Sequence, residues 1–171
     1  NTSGLVVFAK NLVSLQELEL LFKEKEDIKK EYLALVVGHL DGEKTIDAPL
    51  KKDMNTGLVK VARDGKSALT KVKPVKYYGD YTLVNVQIFT GRTHQIRVHL
   101  ASIGFPVVGD SKYGDFKVNK EFRDLYKFEN QFLHAYKLSF LKLKGHLSYL
   151  SDKIIETSLP EVEDKLLKKI I

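Results

Sequence analysis

The run Tyr32-Leu33-Ala34-Leu35-Val36-Val37 is apolar at every position and stops at Gly38. A strand that shows hydrophobic side chains to both sides must be covered on both sides, so this segment predicts a central strand of a sheet with layers above and below. A second run, Tyr81 to Phe89, alternates: Val84, Val86 and Ile88 fall on one face, Asn85 and Gln87 on the other. That period of two predicts a strand with one wet face. Phe132 to Leu141 reads as a further strand. Leu5-Val6-Val7-Phe8-Ala9 has the pattern of a buried strand near the start.

Between these strands, Asn11 to Lys25 predicts a helix. Ser14-Leu15-Gln16-Glu17 has capping-box spacing, and Leu15, Leu18, Leu21 and Phe22 share a face. The charge run Lys23-Glu24-Lys25-Glu26-Asp27 reads as its solvated end, and Asp41-Gly42 as a hairpin turn. From Thr45 to Lys76 short strands are expected, joined by turns at Asn55-Thr56-Gly57 and Asp64-Gly65. Gly104 and Phe105-Pro106 end a helix and turn the chain, and Glu161 to Ile171 predicts a short amphipathic helix. With 171 residues, 43% of them hydrophobic, the reading is one α+β domain over residues 1–171: a mixed, mainly antiparallel curved sheet with a few flanking helices. The chain opens Asn1-Thr2-Ser3-Gly4 without methionine, directly before a strand pattern, which predicts that sequence once preceded it.

The formal net charge of +6 favours a polyanionic partner. Cysteine is absent, which excludes a disulfide framework and a thiol nucleophile and fits a cytoplasmic protein. No apolar run reaches membrane-span length, so no membrane partner is expected. No G-x-S-x-G elbow, phosphate-binding loop or dinucleotide fingerprint occurs. His94 and His99 lack helical zinc spacing, so no metal is expected either.

The densest chemistry lies in Thr90 to Leu100, TGRTHQIRVHL. A helix beginning near Thr93 would place His94, Arg97 and Ala101 on one face at roughly 100° per residue, opposite Ile96, Leu100 and Ile103. Arg92 and Thr93 add donors at the helix N-terminus, where free backbone N–H groups already favour an anion. Two readings stay open: these donors await a carboxylate or phosphate, or Arg97 pairs with a core acid and His94 is a satisfied helix histidine. Lys71 and Lys73 share one strand face, near Arg63, Lys66 and Lys76, and read equally as a solvated face or an RNA-facing basic strip.

TGRTHQIRVHLASIGFPVVGDSKYG closely resembles the most recognisable block of the RluA-type pseudouridine synthases. NTSGLVVFAK, KKEYLALVVG, DGKSALTKVKPV and FLHAYKLSF resemble other blocks of that family, in its order, from Asn1 to about Phe140. The resemblance implies isomerisation of selected uridines in RNA, most commonly ribosomal RNA and otherwise transfer RNA, to pseudouridine, with no cofactor and no metal. The N1–C1′ bond breaks, the uracil turns over, and C5 bonds to C1′. The family's aspartate in HRLD would lie two positions before Asn1, so the chain by itself is expected to be inactive; neither Asp110 nor Asp115 matches its motif. By the same resemblance, Arg97 and Tyr32 are the catalytic residues present. Arg97 would keep the aspartate ionised and Tyr32 would stack on the extruded base or assist proton removal from C5. Arg92, Thr93, His94, Gln95, Lys71 and Lys73 are the expected RNA contacts. A monomer is expected, and the resemblance leaves room for an S4-type domain at the N-terminus of the intact protein. The alternative is a non-catalytic RNA-binding domain on the same scaffold.

Overall fold

The computed structural model describes residues 2–24 and 27–170. A seven-stranded sheet runs β1 (Ser3–Gly4), β8 (Leu133–Phe140), β2 (Ile28–Val37), β7 (Tyr81–Ile88), β6 (Leu69–Tyr78), β3 (Lys44–Asp47), with β9 (Ile154–Glu156) also on β8. The pairing of β1 with β8 is parallel and the others are antiparallel. The apolar run of β2 lies between β7 and β8, as its two covered faces require. Register shifts at Glu31/Tyr32 and Pro74/Lys76 each insert a bulge, the local device that bends a sheet.

Alternation sorts the faces. Val72, Val84, Val86 and Ile88 join Ala34 and Val36 on one face, and helix α2 (Gln95–Ser102) lays Ile96 and Leu100 on them. On the other face Leu35 and Leu83 meet Phe122 of α3 (Phe116–Tyr126) and Leu166 and Leu167 of α4 (Glu161–Lys169). A separate hairpin, β4 (Leu50–Lys52) with β5 (Val59–Val61), packs Leu50 and Val59 against Val98 of α2 and the ring of Tyr113. The turns at Asn55–Gly57 and Asp64–Gly65 lie where the sequence sets them.

Four local expectations are corrected. Leu5 to Ala9 is not a buried strand: β1 ends at Gly4, and Val6 and Phe8 are exposed at 71% and 84%. Beyond Ala135, the outer edge of β8 is taken by β9 at Lys137–Ser139, so a longer β1 has no ladder to join. Asp41-Gly42 does not close a hairpin, because β3 pairs with β6 and both β6 and β7 separate it from β2. Helix α1 (Leu12–Glu24) is capped not by Ser14 but by Asn11, whose Oδ1 accepts the Ser14 N–H at 2.8 Å. Glu17 turns outward instead and accepts the N–H groups of His146 and Leu147 in a 3₁₀ turn, and these bonds lower its pKa. Finally, α2 starts at Gln95 rather than Thr93, because His94 adopts a left-handed conformation with φ of 54°. Lys25 and Glu26 of the charge run lie outside the described residues, as do Asn1 and Ile171.

Candidate active site

The β7–α2 turn is built around one amide. Gln95 is 3% exposed and uses all its hydrogen-bonding capacity. Its Oε1 accepts from Thr90 Oγ1 at 2.6 Å and from the Arg92 N–H at 3.0 Å. Its Nε2 donates to Leu69 O and to Thr70 Oγ1, both at 3.0 Å. Gln95 therefore holds the turn and offers no group to a ligand. His99 is likewise spent internally, on Thr70 Oγ1 and Ala48 O at 2.9 Å each, and burial lowers its pKa.

The turn presents Arg92, Thr93 and His94. Thr93 is exposed, and Arg92 is half-buried with its Nε donating to Ser67 O at 2.9 Å. Both line a groove of about 430 Å³ with Gly91, Lys51, Lys52 and Lys66 from the hairpin side. His94 Nδ1 lies 2.9 Å from the hydroxyl of Tyr113, which also accepts the Val59 N–H at 2.9 Å. A Tyr113 hydroxyl that donates to Nδ1 satisfies both contacts and leaves the proton of neutral His94 on Nε2. Burial lowers the pKa of His94, and the charges of Arg97 and Lys112 lower it further, so the ring is neutral at pH 7.

Arg97 points away from the α2 core face and forks onto Asp110. Its Nε donates to Oδ2 at 2.6 Å and its Nη2 to Oδ1 at 2.5 Å. The Asp110 side chain is fully buried and that of Arg97 is 11% exposed. Tyr113 completes the clamp, its ring centroid 5.0 Å from Cζ of Arg97. Burial opposes a charge on Asp110, but the Arg97 fork and the N–H groups of Lys112 and Tyr113 outweigh it and hold the carboxyl below its ordinary range. The fork leaves Nη1 of Arg97 outside the pair.

Gly109 makes this turn possible. Its φ is +78°, and a Cβ there would lie 2.0 Å from Asn130 O. Neighbouring contacts lead back to the start of the chain: Phe132 N–H donates to Val108 O at 2.8 Å, and Gln131 Nε2 donates to Thr2 Oγ1 at 2.8 Å. The first described residue thus lies on the segment packed against the Asp110 turn.

Not every expected residue touches this clamp. Tyr32 is on β2, on the sheet face that carries α2, and lines a small groove with Leu5, Val7 and Phe22. No hydrogen bond or ring contact joins it to Arg97 among the described residues. Burial raises the pKa of its phenol, which is neutral at pH 7. Lys71 and Lys73 project from the opposite face of the sheet, in register with Gln87 and Asn85, beside Glu31 and Glu43. They are not continuous with the Arg92 groove. Asp110 and Tyr113 are the clamp residues that reading the sequence did not assign. The signal was the GDSKYG string, where an acid and an aromatic follow a glycine that must take a positive φ.

The chain also has relatives. It is 38% identical over 142 residues to the ribosomal large subunit pseudouridine synthase C of Vibrio cholerae, covering 82% of this chain and 44% of that one. It is 43% identical over 146 residues to the uncharacterized RNA pseudouridine synthase YlyB of Bacillus subtilis, covering 82% and 44%. The chain thus spans less than half the length of these two relatives. The structure of human RNA pseudouridylate synthase domain containing 1 superposes with a TM-score of 0.64 at 26% identity, over 94% of this chain and 72% of the other. Residues 1–102 match the RNA pseudouridylate synthase family, and with the GRTHQIR turn and its sheet they establish that this chain belongs to that family, in its RluA-type branch.

Proposed function

We propose that the chain forms the catalytic domain of an enzyme that isomerises uridines of ribosomal RNA to pseudouridine in the cytoplasm, transfer RNA being the alternative substrate. The observation that carries the reading is the Arg97 guanidinium, fixed by Asp110 and Tyr113 with its Nη1 outside that fork and without a hydrogen bond among the described residues. A carboxylate arriving from the segment before Thr2 would meet a cation already in place. Beside a nucleobase an aspartate drifts toward protonation unless a fixed positive charge opposes it, and an arginine does so without losing its own proton. The relatives' names support ribosomal RNA as substrate.

In this reading the target uridine leaves its stack, at a cost of a few kcal/mol that phosphate contacts offset. Arg92, Thr93 and the Nε2–H of His94 contact the backbone of the flipped nucleotide. Gln95 is a positioning residue for that turn. Tyr32 enters as a neutral phenol, able to stack on the base and to hydrogen-bond, not as a ready phenolate. The N1–C1′ bond breaks, the uracil rotates, C5 bonds to C1′, and the C5 proton departs.

The test compares two polypeptides on ribosomal RNA transcribed without modification, with pseudouridine read by chemical mapping. One carries the family's aspartate ahead of Asn1; it is expected to form pseudouridine and to lose at least about a hundredfold in rate on Arg97→Ala, the scale of removing one preorganised charge. Arg97→Lys is expected not to restore the rate, because an ammonium cannot fork onto Asp110. The 171-residue chain, with no acid aligned to that aspartate, is expected to bind RNA without isomerising it. Undiminished turnover in Arg97→Ala, or ordinary turnover by the 171-residue chain, overturns the assignment.

A further inference from the structure

Several grooves among the described residues belong neither to the Arg97 clamp nor to the hairpin, and one of them lies against the Asp110 turn. It runs along α3, has a volume of about 340 Å³, and is lined by Ser111, Phe116, Asn119, Lys120, Arg123 and Glu129. Phe116, Lys120 and Arg123 follow one another at helical spacing and share a stripe. Phe116 stands 70% exposed on the first turn, a large aromatic left in water. Lys120 is one turn further on and Arg123 two turns. Arg123 has Asp124 at 3.7 Å, but both side chains are more than half exposed, at 54% and 56%, so that pair binds weakly. Glu129 is the one carboxylate among these lining residues, against the two cations Lys120 and Arg123.

The groove is tied to the clamp by one side chain. Asn119 Oδ1 accepts the Gly109 N–H at 2.7 Å, and its Nδ2 donates to Asp110 O at 2.8 Å. The helix is therefore fixed to the turn whose carboxylate grips Arg97. Lys112, exposed on the connecting segment, acts on His94 electrostatically, as Lys52 does from the hairpin side. The Arg97 cluster thus lies between two basic surfaces.

We propose that the α3 groove is a docking site for single-stranded RNA flanking the nucleotide presented at Arg97, with an unpaired base stacked on Phe116 and phosphates on Lys120 and Arg123. The proposal rests on the reading of RNA as the ligand. It commits to single-stranded RNA because an exposed ring needs an open base face, and because the cations beside it match a phosphate chain.

Fluorescence anisotropy of this chain with fluorescein-labelled oligouridylate tests it. Phe116→Ala is expected to weaken binding about tenfold, within the range for losing one stacked base, while Phe116→Tyr binds as the parent does. Lys120→Ala with Arg123→Ala is expected to flatten the salt dependence by about 0.7 for each phosphate that is no longer neutralised. Leu125→Ala, on the other side of the helix, should bind unchanged, and none of these exposed substitutions should shift the melting temperature. If the α3 variants bind like the parent while Lys66→Ala weakens binding, the RNA does not pass over α3 and the proposal fails. If the parent chain binds no RNA at all, the RNA reading itself fails, and the two failures are thereby told apart.

Discussion

Arg97 and Asp110 exemplify a pair whose geometry matters more than its existence. A buried ion pair contributes little net stability, since desolvation cancels much of the attraction, yet removing one partner strands the other. Asp110→Asn should therefore cost about 3 kcal/mol at neutral pH, measured by urea unfolding. The sign with pH follows from the direction of the shift. Folding lowers the Asp110 pKa from its ordinary value of 3.8, so its contribution is complete above about pH 4 and fades as the pH falls toward the folded value. The parent should lose stability across that acid window, and Asp110→Asn should show a flatter acid limb. An identical acid limb in both would mean that Asp110 is not held ionised by its partners. His94 shows the same economy of placement: a left-handed backbone and a hydroxyl partner leave its Nε2 facing outward.

At the scale of elements, the 107–114 turn does what a helix or strand could not. It brings an acid under α2 and an aromatic ring against the hairpin in four residues, from Asp110 to Tyr113. Gly109→Ala should destabilise the fold by more than about 1 kcal/mol, because the positive φ and the 2.0 Å approach to Asn130 O both penalise a Cβ. Its melting temperature should fall and RNA binding with it; a melt like the parent's would show that the turn relaxes freely. Element type was legible wherever hydrophobic period was strong: β2, β7, β8 and α4 lie where the pattern sets them. Pairing was not. Asp41-Gly42 has hairpin chemistry, yet β3 crosses to the far side of β6, since the edge beside β2 was already taken. Helix α3 escaped notice because Phe122 is its one buried residue, and the exposed Phe116 and Leu125 blur its apolar period. That Arg97 pairs with a core acid was one of the two readings its spacing left open, and the structure bears it out, but which acid was not legible, since nothing in sequence spacing reveals which acid a chain reversal brings beneath a helix.

For the whole molecule, the distribution of positive charge over two sheet faces matters more than its total of +6. Lys52, Lys66 and Arg92 gather on the α2 side, whereas Lys71 and Lys73 stand on the other face among carboxylates. Replacing Lys52 and Lys66 by alanine should reduce the salt slope of RNA binding by about 0.7 per phosphate, and replacing Lys71 and Lys73 should leave it near the parent value. The reverse result would mean that RNA lies across β6 and β7 on the side of Lys71 and Lys73.

The sheet's two outer margins carry a last consequence. One ends on β3, whose sequence Lys44-Thr45-Ile46-Asp47 spans four residues, and the other on β1 and β9, of two and three residues. Strands so brief and charged at Lys44 and Asp47, with the charges of Lys73 and Lys76 and Pro74 between them on the stretch of β6 that β3 leaves uncovered, give a neighbouring copy little backbone to zip onto. Concentrated solutions of the folded protein should accordingly resist growing into cross-β fibrils, even though a run as oily as residues 32–37 of β2 is hidden between the two margins.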